Sequence, residues 1–140
     1  MIRMAIKQLT KNDLGLTGSH QAGFLVPKNL IKSNFFPFLD PNEENPRVTL
    51  DILCDKDLYS FNLIYYNNRL FGKGTRNEYR MTGLSKFYRA HDCVIGDSLK
   101  FIHNDRLEGY QVEVLHKNTS YEISKKILER PLIIQASWAY

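Results

Sequence analysis

A short segment of the sequence concentrates side chains that suit the edges of nucleic-acid bases. It runs from residue 72 to residue 80 and reads GKGTRNEYR, with two glycines that free the backbone for a loop after a strand-like run. Arginine donates two parallel hydrogen bonds to guanine, asparagine pairs with adenine, and glutamate accepts a hydrogen bond from cytosine. The residue types therefore predict a base-reading loop. Its predicted base readers are Arg76, Asn77, Glu78 and Arg80.

The same loop offers two groups for the sugar-phosphate backbone of a nucleic acid. Lys73 suits a phosphate as a compact positive charge, and Tyr79 offers a ring for a sugar or a hydroxyl for the backbone. An ordinary solvated turn that is rich in charge has the same composition. Composition alone therefore leaves both interpretations of this loop open.

A second polar cluster precedes an apolar, strand-like run. It reads TGSHQAG over residues 17–23. His20 and Gln21 suit contacts with bases, and Ser19 suits a contact with a phosphate. A histidine in a loop rich in glycine and serine is more often an ordinary surface residue. By itself this cluster is a weak indication.

Patterns typical of catalytic centres are missing from the sequence. The common metal-dependent nuclease centre needs a carboxylate followed two residues later by a lysine, and no Asp-x-Lys or Glu-x-Lys occurs in the 140 residues. The nearest match has Arg80 two residues after Glu78, and an arginine does not give up its proton to activate water. The sequence therefore predicts a protein that is not an enzyme, with no catalytic residue.

Cofactor and metal motifs are also incomplete. The glycine pair of the loop lacks the third glycine of a dinucleotide fingerprint and the Ser or Thr of a phosphate-binding P-loop. A zinc site drawn from cysteine and histidine lacks a Cys-x-x-Cys pair or a helical histidine pair. The side chains considered for it are Cys54, His91, Cys93 and His103. We therefore predict no cofactor and no metal.

Alternating apolar residues predict a protein built mostly from strands. Residues 48–54 and 59–65 alternate with a period of two and are joined by a short polar turn. The pair Asn67-Asn68 predicts a two-residue hairpin turn into a strand-like run at 69–71. Further strand-like runs cover 98–103, 110–115 and 132–138.

Helical patterns are short. Pro27 can open a helix, apolar residues at i, i+3 and i+4 follow from Leu84, and a third segment at 124–129 is stopped by Pro131. Because strands do not alternate regularly with helices, the pattern favours a mostly antiparallel barrel or sandwich. The length predicts one domain, residues 1–140.

The composition is that of a globular chain with a basic side. Hydrophobic residues make up 43% and charged residues 24%, far from a disordered composition. No apolar run approaches a membrane span and no secretory signal is evident, so we expect a cytoplasmic protein with reduced cysteines. The net charge is +4; residues 69–89 hold six basic residues and one acidic residue, while residues 40–57 hold six acidic and two basic residues. A basic side suits an anionic partner.

Four segments together resemble the N-terminal effector domain of the EcoRII family of restriction endonucleases. They are TGSHQAGFLVPK at 17–28, NPR at 45–47, FGKGTRNEYR at 71–80 and GDSLKF at 96–101. The resemblance covers most of the chain. It implies a DNA-binding pseudobarrel similar to the plant B-three transcription-factor domain. This is an open antiparallel barrel, mostly β with short helices, in which two arms grip the major groove.

The resemblance also implies roles for individual residues. One arm is the loop around His20 and Gln21, and the other is the loop that holds residues 76–80. The implied contacts with the DNA backbone are made by Ser19, Lys28, Lys73 and Tyr79. The family recognises the CCWGG duplex, whose guanines, cytosines and central A·T pair suit arginine, glutamate and amide side chains.

In that family the domain targets or regulates a catalytic nuclease domain that is absent from these 140 residues. We therefore expect double-stranded DNA and a nuclease domain beyond Tyr140 as partners, Met1 as a natural start, and a monomer for the isolated domain. Two alternatives stay open: a regulatory or protein-interaction module, and a metal-dependent nuclease with an atypical centre. The carboxylates for such a centre would be Asp40, Asp51, Asp55 and Asp57.

Overall fold

The computed structural model of the chain describes residues 2–18, 22–104, 106 and 109–117, together with the backbone of 133–138. Within these residues the strands are β1 (Ile2–Gln8), β2 (Gly23–Val26), β3 (Arg47–Cys54), β4 (Asp57–Tyr66), β5 (Glu78–Thr82), β6 (Ser98–Asn104), β7 (Tyr110–Leu115) and β8 (Ile133–Trp138). The helices are α1 (Lys28–Lys32) and α2 (Ser85–Ala90), and a 3₁₀ helix covers Asn68–Phe71. None of the helices among these residues is long and apolar enough to cross a membrane.

The strands form one open sheet in the order β2-β5-β4-β3-β7-β6-β1-β8. Neighbouring strands are antiparallel except β3 with β7 and β1 with β8, which are parallel. Because β2 and β8 lie at the two edges, the sheet curls without closing. The prediction of an open, mostly β barrel with short helices is confirmed, and the two parallel pairs are a departure from a purely antiparallel one.

The core lies on one face of the curled sheet and is rich in aromatic rings. Alternate residues of β3 and of β4 up to residue 63 are buried, as their period of two predicts, among them Ile52, Phe61 and Leu63. Helix α2 adds Phe87, whose ring meets Phe61 edge to face with the centroids 5.4 Å apart. Such pairs add about 0.5–1.5 kcal/mol beyond the burial of the rings. Strands β3 and β4 and helix α2 are therefore packed as one block.

Two predictions about the segment after β4 are wrong. Residues 69–71 belong to the 3₁₀ helix, so Asn67-Asn68 is not a two-residue hairpin turn. Residues 78–80 belong to β5 instead of a loop. A contact outside the segment explains why the turn does not form, because the side chain of Asn67 is buried and hydrogen-bonded to the loop before β3. The third predicted helix, at 124–129, lies outside the described residues.

The two cysteines are free thiols at the end of β3 and just after α2. Cys54 is buried and Cys93 is half-buried. Burial, reinforced by nearby carboxylates, raises the pKa of Cys54 to about 11 and the pKa of Cys93 to about 12. Both thiols are therefore protonated at neutral pH.

A buried carboxylate joins the start of β6 to the end of β7. Asp97 accepts hydrogen bonds from the backbone N–H groups of Val94 at 2.9 Å and Lys117 at 3.0 Å, and it lies 3.0 Å from Nδ1 of His116. Burial by itself would raise the pKa of this carboxyl, but these hydrogen bonds outweigh burial and hold the pKa below its usual value. The ionised carboxylate therefore stabilises the fold.

Candidate nucleic-acid interface

Two arms extend from opposite ends of the antiparallel β2–β5 pair. The first arm, residues 9–22, connects β1 to β2, and the second arm, residues 67–77, connects β4 to β5. Gly23, the first residue of β2, pairs with Thr82, the last residue of β5. The first arm therefore joins the pair at one end and the second arm joins it at the other. The five residues of β5 separate the two ends by about 13 Å, at about 3.3 Å per residue.

A buried ion pair closes the root of the first arm. Nζ of Lys7, on β1, lies 2.7 Å from a carboxylate oxygen of Asp13, and both side chains are almost fully buried. The same carboxylate oxygen accepts a hydrogen bond from the backbone N–H of Thr10 at 2.8 Å. The backbone carbonyl of Asp13 accepts another from the N–H of Gly23 at 2.9 Å. The start and the end of the arm are thus held together through Asp13.

Gly23 sets how closely β2 approaches β5. A Cβ atom at this position would collide with the backbone carbonyl oxygen of Met81. A residue without a side chain is therefore required for this approach. The close contact fixes the end of the first arm against the strand that follows the second arm.

Three of the predicted DNA contacts fall in the sequence between Gly18 and Ala22 of the first arm. Ser19, His20 and Gln21 lie outside the described residues, so their roles stay predictions. In the described part of the arm, the hydroxyl of Thr17 donates a hydrogen bond to the side-chain oxygen of Asn12 at 3.0 Å. The arm is thus hydrogen-bonded within itself as far as residue 17.

Two asparagines lock the root of the second arm. Asn67 is fully buried. Its side-chain oxygen accepts a hydrogen bond from the backbone N–H of Asn45 at 2.7 Å, and its amino group donates to the carbonyl of Glu43 at 2.7 Å. The side chain of Asn45 accepts from the N–H of Asn67 at 3.2 Å and donates to the side-chain oxygen of Asn68 at 3.0 Å. The NPR segment at 45–47 therefore positions the second arm, a role that its sequence does not indicate.

Hydrogen bonds inside the second arm shape it into a compact loop. The backbone N–H of Arg69 donates to the carbonyl of Arg76, and that of Lys73 donates to the carbonyl of Asn68, both at 3.0 Å. Gly72 ends the 3₁₀ helix in the left-handed conformation, with φ of 67°, which favours glycine. The predicted base readers thus follow an ordered turn.

Arg76, Glu78 and Arg80 form a row of charged side chains along the start of β5. Alternation along an extended chain brings every second residue to the same face. Nε of Arg76 lies 3.0 Å from one carboxylate oxygen of Glu78, and a guanidinium nitrogen of Arg80 lies 3.9 Å from the other. All three side chains are partly exposed. Glu78 therefore lies between the two arginines, hydrogen-bonded to Arg76 and at ion-pair distance from Arg80.

Tyr66, at the end of β4, is a candidate site residue that sequence patterns do not indicate. Its ring lies under the guanidinium of Arg76, with Cζ 3.8 Å from the ring centroid. Such a contact is worth about 0.5–1 kcal/mol at an exposed site. The signal that could have found it is the strand register, because Tyr66 pairs with Glu78 and cross-strand neighbours share a face.

The intervening residues, Asn77 and Tyr79, point to the other side. The hydroxyl of Tyr65 donates to the side-chain oxygen of Asn77 at 2.6 Å, so the amino group of Asn77 is the group that would act on a base. Tyr79 is buried, stacks on Tyr65 at 4.4 Å between centroids, and accepts a hydrogen bond from the N–H of Leu39 at 3.1 Å. Burial raises the pKa of Tyr79. The structure thus contradicts the predicted contact of Tyr79 with the DNA backbone.

The two lysines predicted to contact the DNA backbone are exposed on the side of the second arm. Nζ of Lys73 lies 3.0 Å from a carboxylate oxygen of Glu44. Lys28 is the first residue of α1, just beyond the end of β2 that pairs with Tyr79 near the start of β5. Both positions suit phosphate contacts, which stay predictions.

The sequence is similar to the N-terminal part of a restriction endonuclease. Residues 1–124 match a family described as the N-terminal part of the restriction endonuclease EcoRII. Over 80 residues the chain is 41% identical to the type II restriction enzyme EcoRII of Escherichia coli. This match covers 55% of the chain and 20% of the enzyme, so it spans about a fifth of the curated relative.

Several solved structures share the fold. The Arabidopsis FUS3-DNA complex aligns with a TM-score of 0.58 and 18% identity, over 79% of this chain and 93% of that one. For the Arabidopsis thaliana transcription factor LEC2-DNA complex the values are 0.59 and 19%, over 81% and 94%. For the B3 domain of the UbaLAI restriction endonuclease with cognate DNA they are 0.58 and 21%, over 91% and 77%. These alignments confirm the predicted B-three-like fold.

Proposed function

The chain belongs to the family of EcoRII N-terminal domains, and from that premise we propose that it binds a specific sequence in duplex DNA and cuts nothing by itself. The relatives that share its fold are described as DNA complexes, which makes duplex DNA the partner to propose. The missing Asp-x-Lys or Glu-x-Lys pattern supports a non-catalytic role. The module would target or regulate a nuclease domain in a longer protein, since its match covers 20% of EcoRII.

The placement of the two arms carries this proposal. They stand at opposite ends of the β2–β5 pair, about 13 Å apart along β5, and the major groove of B-DNA is about 12 Å wide. Arms with this spacing can follow the two walls of one groove. The charge distribution supports DNA binding on the side of the second arm. Residues 69–89, which include most of that arm, hold six basic residues and one acidic residue.

The row of charged side chains suggests how bases are read. Arg76 and Arg80 offer parallel donors for guanine, and Glu78 accepts from the amino group of cytosine. An amide side chain, that of Asn77 or Gln21, suits the central A·T pair. CCWGG contains all of these bases, so we propose it as the target. The first arm would add His20 and Gln21 to the base contacts. The phosphate contacts would come from Ser19, Lys28 and Lys73.

The side chain of Arg76 is partly ordered in the unbound protein, and this favours tight binding. Arg76 is held on two sides, by the carboxylate of Glu78 and by the ring of Tyr66. Ordering a flexible side chain at an interface costs roughly 0.5–1.5 kcal/mol. A guanidinium that is already fixed avoids part of this cost, so binding energy is available for discrimination between bases.

A fluorescence-anisotropy titration at physiological salt tests the proposal. A CCWGG duplex is compared with a duplex of the same composition and a scrambled site, and we expect a preference of about 10³ or more. Equal, weak and salt-sensitive binding of both duplexes would exclude CCWGG as the target. No binding to either would favour the protein-interaction module, and magnesium-dependent cutting of plasmid DNA by the pure chain would overturn the non-catalytic role.

Single alanine variants separate base reading from charge. Arg76→Ala should lose about 1–3 kcal/mol of specific binding and discriminate less between the duplexes, while Lys73→Ala should weaken both and reduce the salt slope by about 1. Lys56→Ala is the matched control, because it removes an equal charge from the turn at the other end of the β3–β4 hairpin. If Arg76→Ala behaves like Lys56→Ala, the second arm does not read bases.

A further inference from the structure

A cluster of metal-ligating side chains lies at the end of the β3–β4 hairpin that is opposite the second arm. It consists of Cys54 at the end of β3, Asp55 in the turn, and His91 directly after α2. One ligand atom from each of the three lies within 4.8 Å of the other two. Among the described residues this is the one group of three or more such side chains brought together in this way. The fold thus assembles a sulfur, an oxygen and a nitrogen donor from two distant segments.

The donor set and its dimensions suit zinc. Zinc binds thiolate sulfur at about 2.3 Å, and imidazole nitrogen and carboxylate oxygen at about 2.0–2.2 Å, in a tetrahedral arrangement. Ligand atoms around such an ion are roughly 3.5 Å apart, as follows from these bond lengths. Since the ligand atoms lie within 4.8 Å of one another, their separations need to shorten by at most about 1.3 Å. The exposed side chain of Asp55, in a turn with φ of 54°, can supply that movement.

The imidazole of His91 is positioned by its neighbours. Its ring packs on Phe87, with the centroids 4.5 Å apart, and its Nε2 lies 3.3 Å from the hydroxyl oxygen of Tyr59. A metal-binding histidine commonly donates its second ring N–H to an oxygen, which fixes the ring and the tautomer. A proton on Nε2, donated to Tyr59, would leave the lone pair of Nδ1 for a metal ion.

The electrostatic surroundings of Cys54 favour a cation. The charged groups that act most strongly on its thiol are the carboxylates of Asp55, Asp57 and Glu113. Glu113 is partly balanced by Lys100, whose Nζ lies 2.9 Å from its carboxylate. A divalent ion would offset the remaining negative charge.

We propose that Cys54, Asp55 and His91 bind a zinc ion that fastens the β3–β4 turn to the end of α2. On binding, the thiol of Cys54 releases its proton to the solvent and the sulfur coordinates the ion. A zinc ion at this site would be contrary to the prediction of no metal made from the sequence. His103 does not join it, since its ring packs on Tyr110 at 4.9 Å.

The position of the site assigns it to stability and not to base reading. The ten residues of β4 separate it from Tyr66 and the second arm by about 30 Å, at about 3.3 Å per residue. At that distance the ion makes no contact with the arms. The zinc proposal and the DNA-binding proposal therefore fail or succeed independently.

Titration of the reduced, EDTA-treated chain with zinc chloride tests the site. Calorimetry should show one zinc ion per chain, and cobalt(II) in its place should give a thiolate-to-metal absorption band. A ligand at about 100 times its Kd stabilises by about 2.7 kcal/mol, so the Tm should rise by about 5–10 °C. A chain that binds no stoichiometric zinc, or whose Tm does not respond to it, would overturn the proposal.

Two variants test the assigned ligands, and a third serves as the control. His91→Gln and Asp55→Asn should bind zinc at least about 10-fold more weakly, and Asp55→Asn should fold normally because asparagine tolerates a positive φ. His103→Gln is the matched control, a histidine outside the cluster that should leave the zinc affinity unchanged. Undiminished binding by both cluster variants, or an equal loss in His103→Gln, would contradict the assigned site.

Discussion

The buried pair of Lys7 and Asp13 makes the root of the first arm sensitive to a single charge. Lys7→Met keeps the apolar stem of the side chain and removes the ammonium, so the carboxylate of Asp13 stays buried without its counter-charge. Removing one partner of a buried pair costs about 3–5 kcal/mol. The 2.7 Å separation and the nearly complete burial of both side chains place this pair within that range. We expect a loss of about 4 kcal/mol.

Urea unfolding followed by circular dichroism measures this loss. With an m value of about 2 kcal/mol per molar, the midpoint should fall by about 2 M in Lys7→Met. Asp13→Asn, which leaves the ammonium of Lys7 buried, should lose a similar amount. The double variant removes both charges together, and its loss should be smaller than the sum of the single losses by about 2 kcal/mol or more.

Two results would refute this reasoning. A midpoint shift below about 0.5 M in both single variants would show that water screens the pair. Strictly additive losses in the double variant would show that the two charges do not act on each other. In either case the hydrogen bonds of Asp13 with Thr10 and Gly23, and not the ion pair, would hold the root of the arm.

Three further predictions concern Tyr66, Gly23 and Asp97. Tyr66→Leu removes the aromatic face under Arg76 and should weaken specific DNA binding about 2–5-fold in anisotropy titrations, whereas Tyr66→Phe should bind like the native chain; equal binding by the two would refute the contact. Gly23→Ala pushes β2 away from Met81 and should lower the free energy of unfolding by roughly 1–3 kcal/mol, so an unchanged urea midpoint would be the contrary result. Asp97→Asn should be less stable at pH 7, and its deficit should shrink as the pH falls below about 3.9 and through the lowered pKa of Asp97, because protonation removes the advantage of the native carboxylate. A deficit that stays constant with pH in thermal unfolding would contradict that account.

The strands of the central sheet were predictable because their own sequence has a period of two. The runs at 48–54, 59–65, 98–103 and 110–115 correspond to β3, β4, β6 and β7 within one or two residues. Their burial depends on local alternation, which a sequence displays directly. The short helices after Pro27 and Leu84 likewise follow from local signals.

Strand β1 was not predicted, because the carboxylate that neutralises its buried lysine lies outside the strand. Lys7 is fully buried in β1, and a lysine in such a position interrupts the apolar pattern. It is tolerated because Asp13, six residues later, neutralises it. Periodicity does not reveal that a charge will meet a partner, so the strand resembles a polar terminus.

The candidate site was predictable in composition but not in arrangement. Reading residues 76–80 as a loop identifies Arg76, Glu78 and Arg80, yet only a strand places them on one face and sends Tyr79 into the core. The burial of Tyr79 depends on Leu39, forty residues away in sequence. Contacts over such separations follow from the fold and not from the local pattern.

The two asparagines at the root of the second arm have a consequence for the design of new binding proteins. Asn45 and Asn67 meet through partly buried, reciprocal hydrogen bonds, while Arg76 is exposed. A scaffold that grips a loop at its base tolerates exchange of the exposed part, much as antibody frameworks accept different hypervariable loops. Libraries that vary residues 73–78 and retain both asparagines are therefore a route to altered target sequences on an unchanged barrel.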